Sequence, residues 1–161
     1  MEAIMTPALA LFDRFRMLAN RAGEWVGLLG IRLLLAYEFG MLSGLSKLKG
    51  ENWFGEIKGD FPFPFNVVSV EFSWFLATWS EIFGGIALAI GLATRFFSIT
   101  LLIFTSVAWA AVHAGNGYNV CSNGYTLPLM FMIMLIPLIL SGPGKLSIDY
   151  FLLKRSGRTS D

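Results

Sequence analysis

Few of the 161 side chains can do chemistry, and those that can are set in apolar surroundings. Arg32 and Glu38 interrupt the stretch WVGLLGIRLLLAYEFGMLSGLSK, Trp25 to Lys47. That stretch is long enough to cross a bilayer as a helix, for which about 20 residues suffice. Glu81 lies in a second apolar run. A charge at the centre of a spanning helix costs roughly 2.5–3.5 kcal/mol on insertion scales, so it faces protein or water and finds company. Such charges can fix helix register as a buried pair, or they can hold a ligand such as a quinone headgroup or a proton-coupled solute. A second group lies in a polar stretch: His113, Asn116, Asn119 and Cys121. These are candidates for an outward-facing soft-metal site, although one His and one Cys fall short of a full ligand set. His113 could equally be an interfacial histidine that closes a helix end.

Helical spacing assigns neighbours. At 100° per residue, Arg32, Ala36, Phe39, Ser43 and Lys47 share one narrow stripe, with Gly40 at its flank. Gly40 and Gly44 have the GxxxG spacing that lets a second helix approach closely. Glu38 falls about 120° away, among Ile31, Leu34, Met41 and Leu42, so Arg32 and Glu38 do not pair with each other. In the second run, Trp74, Thr78, Glu81, Gly85, Leu88 and Leu92 form the stripe. Measured from one face at 1.5 Å per residue, Arg32 lies about 10 Å deep, Glu81 about 18 Å and Glu38 about 20 Å. Arg32–Glu81 is the pair this reading expects. Glu38 is left with no basic partner, so it is neutral, or it faces a polar cavity or another protomer.

The elements that must position these groups are helices. The chain is 55% hydrophobic and 14% charged, against about a quarter charged in a soluble domain, and its mean hydropathy is positive. These features define an integral membrane protein. We expect an all-α fold, a four-helix transmembrane bundle in a single domain, with short interfacial helices at both ends. The spans are residues 25–47, 70–93, 96–113 and 127–141, and residues 48–69 form an extracytoplasmic loop. Residues 8–22 have an apolar face of Ala8, Leu11, Phe12, Phe15, Leu18 and Ala19 and lie in the interface. SIDYFLLKR, from Ser147, resembles a second anchor of this kind. The loop carries Phe61-Pro62-Phe63-Pro64-Phe65, which forbids helix and folds onto the bundle or dips into the headgroups. Pro137 is expected to bend the fourth span. Lysine and arginine gather at the N-terminal segment (Arg14, Arg16, Arg21), at Arg95 and in the tail (Lys145, Lys154, Arg155, Arg158). By the positive-inside rule both termini are cytoplasmic, in a bacterial inner membrane, with Cys121 outside.

Some functions are excluded. One cysteine permits no intrachain disulfide and no CxxC redox pair. One histidine permits no bis-histidine haem ligation within a protomer. Arg14, Arg16 and Arg21 follow the first apolar residues, unlike a signal peptide. Met130 and Met134 share a face but are ordinary packing residues. No nucleophile–base pair, metal box or phosphate loop is evident, so a self-sufficient enzyme is the least favoured class. Nucleic acid is not an expected partner.

The motifs, taken in order, carry a resemblance. Arg32, an apolar turn, a phenylalanine and SGLSK ending at Lys47 are followed by the FPFP loop and by Glu81-Ile82-Phe83-Gly84-Gly85. GLATRF (Gly91 to Phe96) and GPGKLSID (Gly142 to Asp149) complete the series. Over roughly residues 28–150 this resembles the DoxX-like membrane proteins. The resemblance implies a four-helix bundle. It also implies association with quinone-linked sulfur oxidation or with membrane complexes for oxidative-stress defence. A subset is encoded beside small copper-binding modified peptides, which makes copper, like quinone, a candidate cofactor. Glu38 departs from the pattern, where an apolar residue is more usual. The reading is an accessory subunit in redox or metal-stress physiology that binds a quinone-like ligand or a membrane or periplasmic protein partner, with a homo-oligomer also open. The alternative is a small proton-coupled exporter using Glu38.

Overall fold

The computed structural model describes residues 7–157. The described residues form seven α-helical segments joined by helical turns and loops. Three helices are long and apolar enough to cross a membrane: Leu9–Lys49, Val70–Ile90 and Thr94–Asn116. A fourth apolar helix, Thr126–Ser141, has 16 residues, about 24 Å at 1.5 Å per residue, and Pro137 lies inside it. Arg158, counted above among the basic residues of the tail, lies outside the described residues.

The first helix differs from expectation. The interfacial segment and the first span are one continuous helix through Lys49, in which α1 (Pro7–Ala22), α2 (Leu28–Ala36) and α3 (Leu45–Lys49) follow one another. No proline or side-chain cap separates them. The change at Gly23 is absorbed instead by a π-helical turn, Gly23–Gly27. A second π-helical segment, Tyr37–Gly44, follows α2. Each π turn widens the helix by one residue, and the second occurs where this helix meets its neighbour.

That neighbour is α4 (Val70–Ile90), which starts where Ser69 Oγ accepts from the Phe72 N–H at 3.2 Å. Its contact with the first helix is glycine on glycine. A Cβ built on Gly85 would come within 2.6 Å of Gly40 Cα and 3.0 Å of the Ala36 carbonyl oxygen. One on Gly44 would meet Ile82 Cγ1 at 2.8 Å. The GxxxG spacing therefore fixes the register of two antiparallel helices: Gly40 opposes Gly85 and Gly44 opposes Ile82. The stripe read from the sequence faces inward as expected, with Arg32, Ala36 and Phe39 buried and Ser43 and Lys47 half-buried.

Helix α4 ends at Gly91, which takes a left-handed φ of 71°. Ala93 follows at φ 48°, a strained value for a residue with a Cβ. Asp149 holds it there. Its Oδ1 accepts from the Ala93 N–H at 2.7 Å and its Oδ2 from the Thr94 N–H at 2.8 Å. Two free N–H groups at the start of α5 (Thr94–Ala108) thus meet a carboxylate, which the helix dipole also favours. Helix α5 continues through a π turn to His113 and a short 3₁₀ turn to Asn116, then a loop leads to α6 (Thr126–Ser141). The chain closes with α7 (Ile148–Arg155), capped by Ser147. The core, Leu35, Ala36, Phe39, Leu88, Leu101, Leu135 and Leu138, sits where these helices converge.

The glycine contact is testable by adding one methyl group. Gly85→Ala should lower the thermal unfolding temperature in detergent, by the roughly 1–3 kcal/mol typical of overpacking. Gly30→Ala, where an added Cβ meets nothing within 4 Å, should leave it unchanged or raise it slightly. Equal melting of the two variants would mean the helices do not meet at Gly85.

Candidate functional site

The buried charges occupy two separate places. Arg32 is 1% exposed, and backbone carbonyls, not a carboxylate, surround its guanidinium. Nε donates to Leu88 O at 2.8 Å and Nη2 to Ala89 O at 3.1 Å. Nη1 donates to Pro143 O at 2.7 Å and Leu146 O at 2.9 Å. The first two acceptors lie in the last turn of α4. Both Gly91 N–H and Leu92 N–H turn back to Ala87 O, leaving Leu88 and Ala89 without a later helical donor. A cation at a helix C-terminus also complements the dipole. Arg32 therefore ties the end of α4 to the loop before α7.

Glu81, 8% exposed, has a different partner from the one expected. Lys47 Nζ donates to Glu81 Oε1 at 2.9 Å, to Oε2 at 2.7 Å and to Ser43 Oγ at 2.7 Å. The expected Arg32–Glu81 pair is thus replaced by Lys47–Glu81. The cause is register. Depths measured from the span ends place Trp25 opposite Ala93, but the Gly40–Gly85 contact slides the helices by about seven residues, roughly 10 Å at 1.5 Å per residue. Lys47 shares the Arg32 stripe in the sequence, and in the structure Gly44 opposes Ile82, next to Glu81.

The Lys47–Glu81 pair borders a cavity of about 510 Å³ between the helices. Phe39, Phe54, Phe61, Phe65, Phe104 and Phe131 are on its wall. Phe39 and Phe131 pack with centroids 5.5 Å apart. At the other side, Phe54 makes edge contacts with Trp53, Phe61 and Trp74 at 5.0 to 5.2 Å. The loop does fold onto the bundle, with Phe61 buried, Phe65 on the cavity wall and Phe63 left exposed. Polar groups on the wall are Glu38, Ser43, Lys47, Ser73, Glu81, Thr105, His113 and Asn123. Glu38 is half-buried, and no described group forms a hydrogen bond or ion pair with it. Its neighbour Phe39 faces the core, and the wider π turn brings Glu38 to the wall as well. Ser73 Oγ is buried with no hydrogen-bond partner among the described residues.

The second predicted group is drawn together differently. His113 Nδ1 and Asn116 Nδ2 both reach the Asn123 carbonyl, at 2.8 and 3.2 Å, and Asn119 Nδ2 donates to Asn116 O. These side chains close the loop before α6. Cys121 is an exposed free thiol. Among the described residues no three His, Cys, Asp or Glu side chains gather as a metal set.

The pairing predicts stability effects. Lys47→Ala should strand Glu81 and destabilise the bundle by the roughly 3–5 kcal/mol typical of a buried pair broken at one end. Replacing Lys47 by Met and Glu81 by Leu together should recover much of that. A thermodynamic cycle on unfolding in mixed micelles should give coupling for Lys47 with Glu81 and additivity for Arg32 with Glu81; the reverse pattern would restore the other pair.

The DoxX family model matches residues 27–114, a segment that contains Arg32, Glu38, Lys47, Glu81 and His113. A Haemophilus influenzae relative, described as an uncharacterized protein, is 48% identical over 132 residues, 82% of this chain and 87% of the relative. No solved structure matches.

Proposed function

The chain belongs to the DoxX family of membrane proteins, and on that premise we propose that it is an accessory subunit in redox or metal-stress physiology whose cavity holds a quinone-like ligand. The observation that carries this reading is the cavity itself. Its volume of about 510 Å³ lies in the range of sites that enclose small molecules. Six phenylalanines offer ring faces and edges to a flat ring, and a few polar groups at fixed points orient its oxygens. The reaction chemistry is assigned to a membrane or periplasmic protein partner. The metal side of that physiology belongs there too, since His113 and Asn116 are committed to the Asn123 carbonyl.

Four helices cross the inner membrane in this reading, with both termini cytoplasmic and the aromatic loop outside. The distribution of lysine and arginine supports that orientation. An impermeant thiol reagent applied to intact spheroplasts should label the exposed Cys121. Labelling only after permeabilisation would reverse the orientation.

Ligand binding is read from fluorescence, because Trp53 lines the cavity and packs against Trp74. A short-chain quinone added to the protein in nanodiscs should quench tryptophan emission saturably. Phe54→Ala with Phe61→Ala should weaken that binding at least about fivefold, since removing two aromatic contacts costs on the order of 1–3 kcal/mol. Linear, non-saturating quenching would reject the cavity as a quinone site.

One observation favours a second reading. Glu38 lines the cavity without a partner, as the carboxylate of a proton-coupled exporter would. Proteoliposomes should then show solute flux driven by a pH gradient, and Glu38→Gln should abolish it while leaving the melting temperature unchanged. Flux that survives in Glu38→Gln would remove this reading.

A further inference from the structure

Lys47 and Glu81 on the cavity wall answer each other. An ammonium has three N–H donors, and Lys47 directs them to Ser43 Oγ and to both oxygens of Glu81. His113 Nδ1 meets the Asn123 carbonyl. Glu38 has no such complement among the described residues, and Lys47 has no donor left for it. A carboxylate oxygen accepts hydrogen bonds, and a polar group left unmet beside apolar walls is costly. Ser73 Oγ, a buried wall atom with no hydrogen-bond partner among the described residues, can donate or accept, so it places no demand on the sense of a ligand's hydrogen bond. Glu38 does. A ligand beside Glu38 that brings a donor answers its acceptor oxygens.

We infer that the cavity selects the reduced, hydroxyl-bearing form of its ligand, a hydroquinone over the corresponding quinone, through an O–H donated to Glu38. The inference rests on the reading of the cavity as the seat of a quinone-class ligand. Quinone and hydroquinone share a ring, a size and a tail, so the six phenylalanines treat them almost alike. They differ in the sense of their hydrogen bonds. A quinone carries two carbonyl acceptors and sets acceptor against acceptor at Glu38. A hydroquinone carries two O–H donors, one of which satisfies the carboxylate. A site that hydrogen-bonds a hydroxyl discriminates against the isostere lacking it far more strongly than apolar walls discriminate by size. No proton or electron moves in this step. It is a binding preference, and it raises the reduction potential of the bound couple relative to the free one.

The test uses the full chain in nanodiscs under anaerobic conditions, titrated by tryptophan fluorescence with three probes. They are a short-chain hydroquinone, its quinone, and its dimethyl ether, which keeps the oxygens but loses both donors. The hydroquinone should bind at least about tenfold more tightly than either of the others. Glu38→Leu should bring the three affinities together, leaving that of the quinone within about twofold of wild type. An apolar residue there suits a wall rich in phenylalanine, so this variant should fold, and the wild-type comparison stands without it. Equal affinities in the wild type would overturn the inference and leave the quinone cavity standing. Binding of none of the three would overturn both. A hydroxyl-free aromatic cation, tetraphenylphosphonium, serves as a fourth probe. If it binds more tightly than the hydroquinone and loses that advantage in Glu38→Leu, Glu38 answers a positive charge and the inference fails.

Discussion

Four backbone carbonyls converge on the Arg32 guanidinium, and much of the bundle is arranged around that fact. A guanidinium inside a membrane protein must be satisfied by something close and polar. The end of α4 provides it, because its last carbonyls lack helical donors. The loop from Gly142 to Ser147 provides the rest. Only a residue without a side chain fits between these parts. At Gly91 a Cβ would lie 2.9 Å from Arg32 Cζ, and the same residue supplies the left-handed turn that ends α4. Asp149 then finishes the turn by holding Ala93 and Thr94. The motifs GLATRF and GPGKLSID are thus two halves of one fastening, with Arg32 as its centre.

At the other half of the bundle the same first helix does a different job. Glycine contacts at Gly40, Gly44 and Gly85 draw it against α4 with almost no space between the backbones. The aromatic loop and the far ends of α5 and α6 close over a gap that large rings border but do not fill. Tight packing at one face and an open volume at another come from the same helix pair. The π-helical segment Tyr37–Gly44 lies at this change, as such segments often do near functional sites.

Much of this was legible in the sequence. The inward stripe from Arg32 to Lys47 follows from periodicity alone, and the GxxxG spacing correctly marks a close helix contact. The fold of the aromatic loop onto the bundle follows from its alternating prolines and phenylalanines. The partners of the charges were not legible in the same way. Depth counted from span ends assumes that helices start level, and the glycine contact overrides that assumption by about two turns. Arg32 seemed to need a carboxylate because side chains are visible in a sequence, whereas free carbonyls at a helix end are not. The uniform 100° wheel set Glu38 about 120° from the Arg32 stripe and left its surroundings open between a neutral state, a polar cavity and another protomer. Glu38 lies in the π segment Tyr37–Gly44 on the cavity wall. The continuity of α1 with the first span was missed because a change in composition does not stop a helix where no breaker intervenes.

The fastening around Arg32 also sets an order of events. Two of its acceptors, Pro143 and Leu146, lie more than a hundred residues later in the chain, at separations of 111 and 114. During synthesis the first helix therefore enters the membrane with none of these acceptors yet made, and α4 then answers its arginine only in part while α5 and α6 follow. The α4–α5 turn waits as well, since Asp149 follows its target amides by 55 and 56 residues. The bundle is locked from its last segment backwards. A chain that stops short of Gly142 carries a complete set of hydrophobic helices and still leaves a buried cation unsatisfied, which marks it as unfinished to any quality control that reads charge within the membrane.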